Sequence, residues 1–476
     1  MERIGKDLRG IGRILATAII MCLMTFSLIA QTLTPAQKSL LAKGSRHEKA
    51  GWIYLHVEGT AKERGFQHGY LLAKEIMQAI NATKVSWEYE TAMDWPWLIK
   101  KSSAIMLPKV DPENLDEMQG IADGINAAGY STSLDEIVCL NAWIEMRSYW
   151  WPHEFTKMTG SPMENERESC SSFIAVGSMT SDGDIVLAHN TMTSYNEAMP
   201  NVVIDLKPEK GHRILMQTSP GLIHSGTDFF ITDAGLVGSE TTIGGFSSFD
   251  EKGTPEFTRM RRATQDAGSI DEWCEIMKKG NNGGYANAWL VGDINTKEIA
   301  RLELGLKYIG FERKKDGFFT GSNVAVNMKI LRFETTRDET DIRHMGVSRK
   351  IRWAQLMKQY AGKIDSEKAK QFEGDHYDTF LKQEIADGRT LCGHGELQRD
   401  PAGWPSVPYG PAGTVDAKVV DSKMAKNMTF SARWGSGCGM TFDAGKFLDE
   451  HPQFEWMKEI LVSRPSQEWT MFKAGE

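Results

Sequence analysis

The sequence has no long run of lysine and arginine outside its amino terminus, no internal repeat and no low-complexity tract. A net charge of -8 and an isoelectric point near 5.9 argue against a polyanion-binding surface, so nucleic acid is not an expected partner. Beyond residue 30, no segment approaches the length of a membrane span. With 41% hydrophobic and 25% charged residues over 476 positions, the composition is that of a large soluble globular protein.

The first 30 residues are typical of a signal peptide. Four basic side chains within positions 3–13 precede an apolar stretch from Ile14 to Ala30. We expect cleavage after Ala30, and the large Leu28 leaves an uncleaved anchor as the alternative. Because the apolar stretch is short for a span, removal is favoured. The prediction is export to the periplasm or the extracellular space, or to a lysosome-like lumen in a eukaryote, without stable membrane insertion after signal removal.

Cysteine is scarce, and five cysteines remain once the signal is removed. Cys392 and Cys438 lie in glycine-rich turns, where a disulfide or a pair of neighbouring thiols is conceivable. A zinc site built from these two and His394 lacks a fourth ligand at a recognisable spacing, so a structural role is preferred. The sequence therefore predicts neither a metal nor a cofactor.

One cysteine lies at the head of a predicted β-hairpin. Residues 172–176 and 184–188 predict two short strands, and the turn around Ser181-Asp182 favours antiparallel pairing. This pairing places Cys170 opposite the stretch from His189 to Thr193, so a thiol, an imidazole and the Asn190 carboxamide converge. An ordinary buried thiol beside a hydrogen-bonded histidine is the alternative interpretation.

The remaining periodicity predicts an α+β protein rather than a doubly wound sheet. Further strands are predicted at Trp52–Val57, Val202–Leu206, Arg213–Gln217, Phe229–Thr232, Gly235–Glu240, Ala286–Asp293 and Glu298–Glu303. Helices are predicted at Gly69–Ile80, Pro112–Ala128, Leu134–Arg147, Thr258–Ala267, Ser269–Lys279 and Val347–Tyr360. Residues 157–169 form a polar, aperiodic loop where a cut is tolerable. We therefore expect a mainly helical fragment, 31–169, and a hairpin-rich fragment, 170–476, within one globular unit.

The window from Glu168 to Thr191 resembles the amino-terminal nucleophile (Ntn) hydrolases, specifically the peptidase C45 acyltransferase-like group and the phospholipase B-like proteins. Matching motifs follow in order along the chain, at 63–69, 120–125, 235–244, 287–293, 432–435 and 442–444. His189 stands where bile-salt-hydrolase-like members have an arginine, so the phospholipase B-like branch fits better. The resemblance implies a four-layer αββα fold and self-cleavage of the Ser169–Cys170 bond.

The resemblance also implies roles for individual residues. Cys170 is the nucleophile, oriented by His189 and Asn190, and Arg349 matches a later arginine of the superfamily. The segment Thr241-Thr242 lines the oxyanion side, and Asn287 donates a hydrogen bond to it. Exposed strand threonines, a turn asparagine and a solvent-facing arginine are the structural alternatives for these four positions. Glu240 and the cluster Asp375-His376-Tyr377-Asp378 invite a two-carboxylate or metal interpretation, but both are left outside the catalytic set because their spacing fits no ligand template.

Cleavage would give Cys170 its own general base, because a free α-amino group has a pKa of roughly 7.7. The expected reaction is hydrolysis or transfer at an acyl-amide bond of an N-acyl or small peptide substrate. Deacylation of lipid esters is the first alternative, and an inactive exported binding protein of the same fold is the second. A third alternative is a Cys170–His189 thiol enzyme without self-cleavage. The 14 tryptophans, including Trp95, Trp97, Trp150 and Trp151, allow an apolar acyl pocket, and the two fragments should stay associated.

Overall fold

The structure is a computed structural model that describes residues 33–163, 170–197, 201–225, 229–246, 248–400, 407–465 and 467–476. The predicted signal peptide and Ser169 lie outside the described residues. Two sheets face each other across an apolar core, and helices cover both outer faces. The predicted α+β class and the four-layer αββα arrangement are therefore confirmed.

The described strands follow one another along the whole chain. They are β1 (Ser45–Lys49), β2 (Trp52–Gly59), β3 (Ser171–Val176), β4 (Val186–Ser194), β5 (Val202–Pro208), β6 (Ile214–Thr218), β7 (Phe229–Thr232), β8 (Leu236–Thr242), β9 (Asn287–Asp293), β10 (Glu298–Leu304), β11 (Ile309–Lys314), β12 (Gly317–Gly321), β13 (Tyr377–Asp378), β14 (Gln383–Glu384), β15 (Ala412–Asp421), β16 (Thr429–Trp434) and β17 (Thr470–Lys473). Among the described residues, the larger sheet has the order β1-β2-β5-β6-β7-β8-β9-β10-β11 and the smaller one β12-β3-β4-β15-β16-β17, while β13 and β14 pair separately. Neighbouring strands pair antiparallel except β2 and β5.

The helices form the two outer layers and the connections. They are α1 (Pro35–Leu41), α2 (Ala61–Leu71), α3 (Ala73–Thr91), α4 (Trp95–Met106), α5 (Pro112–Ala127), α6 (Leu134–Asn141), α7 (Trp143–Glu145), α8 (Trp151–Thr159), α9 (Glu256–Asp266), α10 (Ile270–Lys278), α11 (Met328–Phe333), α12 (Met345–Gln359), α13 (Ser366–Glu373), α14 (Ser422–Lys426) and α15 (Ala444–Glu450). A π-helical turn, Met146–Trp150, joins α7 to α8.

Alternation of side chains along the strands builds the layers. In β3, Ile174 packs in the core between the sheets, whereas Phe173 packs against α12 and α13 on the outer face. Leu187 and Val186 of β4 divide in the same way. Successive strand residues point to opposite faces of the sheet. Since one face of this hairpin packs on the other sheet and the other face packs on helices, both faces are buried.

Two predicted helices are wrong in their bounds. The helix predicted at Gly69–Ile80 is two helices, and the first begins eight residues earlier because the Thr60 and Glu63 side chains form a capping box. Gly65 and Gly69 interrupt the apolar periodicity at the start of α2, so the sequence pattern does not show where this helix begins. The same glycines permit close packing of α2 on α5. A Cβ atom at Gly65 would lie 2.0 Å from the Glu117 carbonyl oxygen. The helix predicted at Leu134–Arg147 ends at Asn141, and helical turns continue from Trp143 to Thr159.

Residues 33–163 are mainly helical, but they also contribute β1 and β2 to the larger sheet. Strand β2 pairs with β5 over seven residue pairs from Ile53–Val202 to Gly59–Pro208. The two sides of the predicted cleavage point therefore share one sheet. Across the described ranges, no helix is both long enough and apolar enough to cross a membrane.

Candidate active site

The hairpin of β3 and β4 brings the predicted nucleophile next to the predicted imidazole. Ser171 is paired with Asn190 and Ser172 with His189, so Cys170, just before β3, falls near Thr191. The thiol of Cys170, a ring nitrogen of His189 and a carboxylate oxygen of Glu240 all lie within 4.8 Å of one another, and all three residues are buried. A local hairpin and one strand of the facing sheet thus assemble this cluster.

The backbone of Cys170 has an unusual conformation. Its φ angle is +76°, in the left-handed region that residues other than glycine rarely adopt. Its carbonyl oxygen accepts a hydrogen bond from Nη1 of Arg349, 3.0 Å away, and this guanidinium is completely buried. Such strain persists only where surrounding contacts enforce it, and the Arg349 bond is one such contact.

The His189 side chain is completely buried. Among the described residues, neither ring nitrogen of His189 has a hydrogen-bond partner. Burial, and then the nearby Lys418 ammonium, hold the pKa of His189 well below its usual range. The imidazole is therefore neutral at physiological pH, and it lies beside the Cys170 thiol and the Glu240 carboxylate.

Glu240, Thr242 and Asn287 form one polar network with Tyr285. Thr242 Oγ1 donates to the Tyr285 hydroxyl (2.9 Å), which donates to Glu240 Oε1 (3.0 Å). With the Asn287 amide oriented so that its nitrogen faces Glu240, Nδ2 lies 2.6 Å from Oε2. Both carboxylate oxygens of Glu240 therefore accept hydrogen bonds from protein donors. Neither Glu240 nor Tyr285 was among the predicted site residues. A signal for Glu240 was present, because residues two apart on a strand share a face and Glu240 therefore lies on the same face of β8 as Thr242.

Two predicted residues direct their side chains elsewhere. Asn190 Nδ2 donates to the carbonyl oxygens of Glu373 (2.8 Å) and Leu391 (2.9 Å), behind the smaller sheet. The Thr241 hydroxyl has no hydrogen-bond partner among the described residues and packs against Gly321. The structure thus does not bring these two side chains to the Cys170 thiol.

Asn323 links the predicted arginine to the Thr242 strand. Arg349 Nη2 donates to Asn323 Oδ1, and Asn323 Nδ2 donates to the carbonyl oxygen of Thr242 (2.8 Å). The chain of bonds from the Cys170 carbonyl through Arg349 and Asn323 to Thr242 spans both sheets. Asn323 follows β12, which the sequence did not predict, so no signal pointed to it.

A cavity of about 140 Å³ opens beside the thiol. Cys170, Thr242 and Tyr285 place polar groups on its wall, and further polar residues such as Asn141, Thr191 and Asn201 line it, but most of the remaining surface is apolar. The apolar lining includes Leu140, Trp143, Ile144, Tyr149, Met192, Leu222 and Val415. The four tryptophans named from the sequence do not line this cavity: Trp97 contacts Trp150 and Trp151 in the outer helical layer, and Trp95 packs there edge-on against Trp143, which does line it.

A buried charge pair supports the cavity wall next to the nucleophile. Lys418, opposite His189 on β15, contacts the Asp416 carboxylate. Asp416 also accepts hydrogen bonds from Thr191 Oγ1 (2.8 Å) and Asn201 Nδ2 (2.6 Å), and these two residues line the cavity. These hydrogen bonds satisfy the buried charges, and they link β15 to β4 through Thr191 and to the residue before β5 through Asn201.

The fold and the site define a class of protein: an αββα sandwich with a buried thiol at the head of a central strand, beside an apolar cavity. Residues 48–310 match the family model described as Phospholipase B. The chain therefore belongs to the phospholipase B family, as the motifs predicted.

Several named proteins are similar to parts of this chain. A protein described as uncharacterized from Archaeoglobus fulgidus is 26% identical over 52% of this chain and 42% of its own length. The putative phospholipase B-like 2 of Bos taurus is 31% identical over 26% of this chain and 24% of its own length. The phospholipase B-like protein C of Dictyostelium discoideum is 21% identical over 86% of this chain and 81% of its own. The chain thus spans less than half the length of the first two relatives.

Among solved structures, the chain is similar to a variant of conjugated bile acid hydrolase from Clostridium perfringens. The identity is 12%, and the match covers 55% of this chain and 89% of the hydrolase chain with a TM-score of 0.33.

Proposed function

We propose that this protein is an exported, self-processing cysteine hydrolase that cleaves acyl-amide bonds of N-acyl or small peptide substrates. The observation that carries the proposal is the position of Cys170, whose thiol lies beside His189 and Glu240 on the wall of an apolar cavity. Membership of the phospholipase B family supports a hydrolytic role at this site.

Self-processing begins with attack of the Cys170 thiol on the Ser169 carbonyl carbon. The peptide C–N bond breaks, the thiol proton goes to the new α-amino group, and Ser169 is left as a thioester on Sγ. Water then hydrolyses the thioester, which releases the Ser169 carboxylate and regenerates the thiol. The left-handed backbone at Cys170 supports this step, because strain of about 1–3 kcal/mol is relieved once φ is no longer constrained by a peptide bond.

In turnover, the new α-amino group takes the thiol proton while sulfur attacks the substrate carbonyl. The amine of the substrate leaves with that proton, and water hydrolyses the acyl thioester. Donors are needed for the oxyanion, and the hydroxyls of Thr242 and Tyr285, which line the cavity together with Cys170, are the candidates. The Asn287 amide stands behind them, on Glu240. Arg349 keeps the Cys170 carbonyl fixed after the chain has been cut.

The cavity favours a small acyl group. Pockets for drug-sized ligands typically measure about 300–1,000 Å³, whereas a cavity near 150 Å³ accommodates a molecule the size of benzene. A volume of about 140 Å³ next to the thiol therefore suits a short acyl or aryl acyl group. The second candidate function is deacylation of lipid esters, which the family membership favours and the cavity volume disfavours.

The shared sheet supports association of the two fragments after the cut. Strands β1 and β2 come from the amino-terminal side of the cut and pair into the sheet of the carboxy-terminal side. Their core contacts, including Ile53 and Leu55 with Val202 and Ile204, remain after cleavage of one loop bond. We expect the cut protein to migrate as one particle under native conditions.

The deciding experiment is the intact mass and amino-terminal sequence of the purified protein beside a Cys170→Ala variant. A new terminus beginning Cys170-Ser171-Ser172 in the wild type alone supports the proposal, and the processed protein is then assayed on short N-acyl amides and on lysophospholipids. An uncut, inactive wild type after long incubation favours the binding-protein alternative. An uncut but thiol-dependent enzyme favours the Cys170–His189 alternative.

A further inference from the structure

A second cluster of chemistry-bearing side chains lies outside the candidate active site. His376, Cys392, His394 and Cys438 place one potential ligand atom each within 4.8 Å of all the others. The four come from three separate connections: the segment after α13, the loop before β15 and the turn after β16. Three of them were recognised in the sequence, and His376, 16 residues before Cys392, supplies the fourth ligand that the spacing alone did not reveal.

We propose that these four side chains form a closed, structural zinc site. The two cysteines are thiols rather than a disulfide in the structure, and Cys392 and His394 are buried. Two thiolates and two imidazoles are a donor set that selects Zn²⁺, and four protein ligands leave no position for catalysis. This inference does not depend on the proposed function.

The distances match tetrahedral coordination. His394 Nε2 lies 3.6 Å from the sulfur of Cys392 and 3.4 Å from the sulfur of Cys438. An ion bound at about 2.3 Å to sulfur and about 2.0–2.1 Å to nitrogen separates such atoms by roughly 3.5 Å in a tetrahedron. The Nε2 atom of His376 is buried and has no hydrogen-bond partner among the described residues, so it too is available as a ligand.

The surroundings orient the ligands as they would around a metal. Nδ1 of His394 lies 3.0 Å from Glu396 Oε1, which directs Nε2 toward the sulfurs. Glu396 is fixed in turn by the Tyr195 hydroxyl at 2.8 Å. The backbone N–H groups of Cys438 and Met440 donate to the sulfurs of Cys392 and Cys438, each at 3.4 Å, and stabilise thiolates. A carboxylate behind a ligating histidine is the usual outer shell of a zinc site.

The site would brace the strand that carries His189. Asn190 is the next residue on β4, and its amide bonds to the carbonyl oxygens of Glu373 and Leu391. Leu391 immediately precedes Cys392, and Glu373 ends the helix before His376. The Gly393 carbonyl oxygen accepts from the Thr414 backbone N–H at 2.8 Å. A metal that links these segments therefore fixes the outer face of the active-site hairpin.

The test is the zinc content of the full chain, purified without a metal-binding tag and dialysed against metal-free buffer. We expect one zinc per chain by plasma mass spectrometry, and slow alkylation of Cys392 and Cys438 that becomes fast when a chelator is added. Cys438→Ser and His376→Ala should lose the zinc, whereas Cys274→Ser, a buried thiol outside the cluster, should keep it.

Two further measurements keep the proposal falsifiable if those variants do not fold. Glu396→Gln preserves all four ligands and should weaken zinc binding by about 10–100-fold, as loss of an outer-shell carboxylate does. Replacement of zinc by Co²⁺ in the wild type should give thiolate-to-metal charge-transfer absorption. A Cys392–Cys438 disulfide in a non-reducing peptide map, or metal-free protein whose two thiols alkylate rapidly, would overturn the proposal.

Discussion

Arg349 donates a hydrogen bond from Nη1 to the carbonyl oxygen of Cys170 across 3.0 Å, from a helix that begins 175 residues later in the chain. The same guanidinium donates to Asn323, which bonds to the backbone of Thr242. Both ends of the candidate site are thus fixed by one buried side chain. Because Arg349 acts on the Cys170 backbone rather than on its thiol, it is a positioning residue.

The first prediction concerns Arg349→Lys. A lysine cannot reach both Cys170 and Asn323, and loss of one charge-assisted hydrogen bond is worth about 1.5–3 kcal/mol. We expect kcat to fall roughly 10–100-fold with little change in KM, measured on the processed protein with an N-acyl amide substrate. Arg352→Lys, one turn further along α12 and bonded to Asp375, is the matched control and should keep its rate. Wild-type kcat in Arg349→Lys would contradict the role.

The second prediction concerns the Glu240 network. Glu240 accepts from Tyr285 and, in the oriented amide, from Asn287, so Glu240→Gln replaces one acceptor oxygen by a donor. The buried donor left without an acceptor should cost about 1–3 kcal/mol of unfolding free energy in urea denaturation. Tyr285→Phe removes one of the two donors.

The double variant tests whether the two residues are coupled. Glu240→Gln combined with Tyr285→Phe should be less destabilised than the sum of the single variants, with a coupling energy of about 0.5–3 kcal/mol. Additive effects would show that the hydroxyl and the carboxylate are energetically independent.

Much of the candidate site follows from local sequence. The β3–β4 hairpin encodes its own register, because the turn residues and two apolar runs fix which residues face Cys170. The strands predicted from Val202 onward also agree with the structure, since strands covered on both faces have near-continuous apolar runs that are visible in the sequence.

The remaining site residues depend on long-range pairing. Asn287 reaches Thr242 only through the β8–β9 register, and Asn323 and Arg349 arrive from elements far along the chain. No local pattern specifies these contacts, because they are set by which strands become neighbours. His376 could not be linked to Cys392, His394 and Cys438 for the same reason, since these partners lie on other connections.

The third prediction is a pH dependence of stability centred on Glu145. This carboxyl is buried, accepts the backbone N–H of Glu256 at 3.1 Å, and burial raises its pKa to about 7. The unfolded chain has the ordinary carboxyl pKa near 4.5, so between these values the folded protein keeps a proton that the unfolded chain has lost. Stability from this group is therefore fully present below pH 4.5 and is lost as pH rises to about 7.

Glu145→Gln should remove that pH dependence. The shift of roughly 2.5 units corresponds to about 3 kcal/mol as an order of magnitude. The measurement is the unfolding free energy of both proteins at pH 5 and pH 8. We expect the wild type to lose more stability than the variant between the two values, whatever the absolute stability of the variant. Parallel pH profiles would place the Glu145 pKa near its ordinary value.

The last prediction tests whether the cavity beside Cys170 determines acyl length. Leu222 lines the cavity from a loop, so Leu222→Ala lengthens the apolar space next to the thiol and Leu222→Phe shortens it. We expect kcat/KM to shift toward longer acyl chains in the alanine variant and toward shorter ones in the phenylalanine variant. Burial of one methylene is worth about 1 kcal/mol. For each variant, the ratio of kcat/KM between two substrates that differ by one methylene should therefore change roughly fivefold from the wild-type ratio. Leu115→Ala, a partly buried leucine of the same core cluster that does not line the cavity, is the matched control. If it shifts the chain-length preference as much as Leu222→Ala does, the selectivity reflects general loosening of the fold rather than the shape of this cavity.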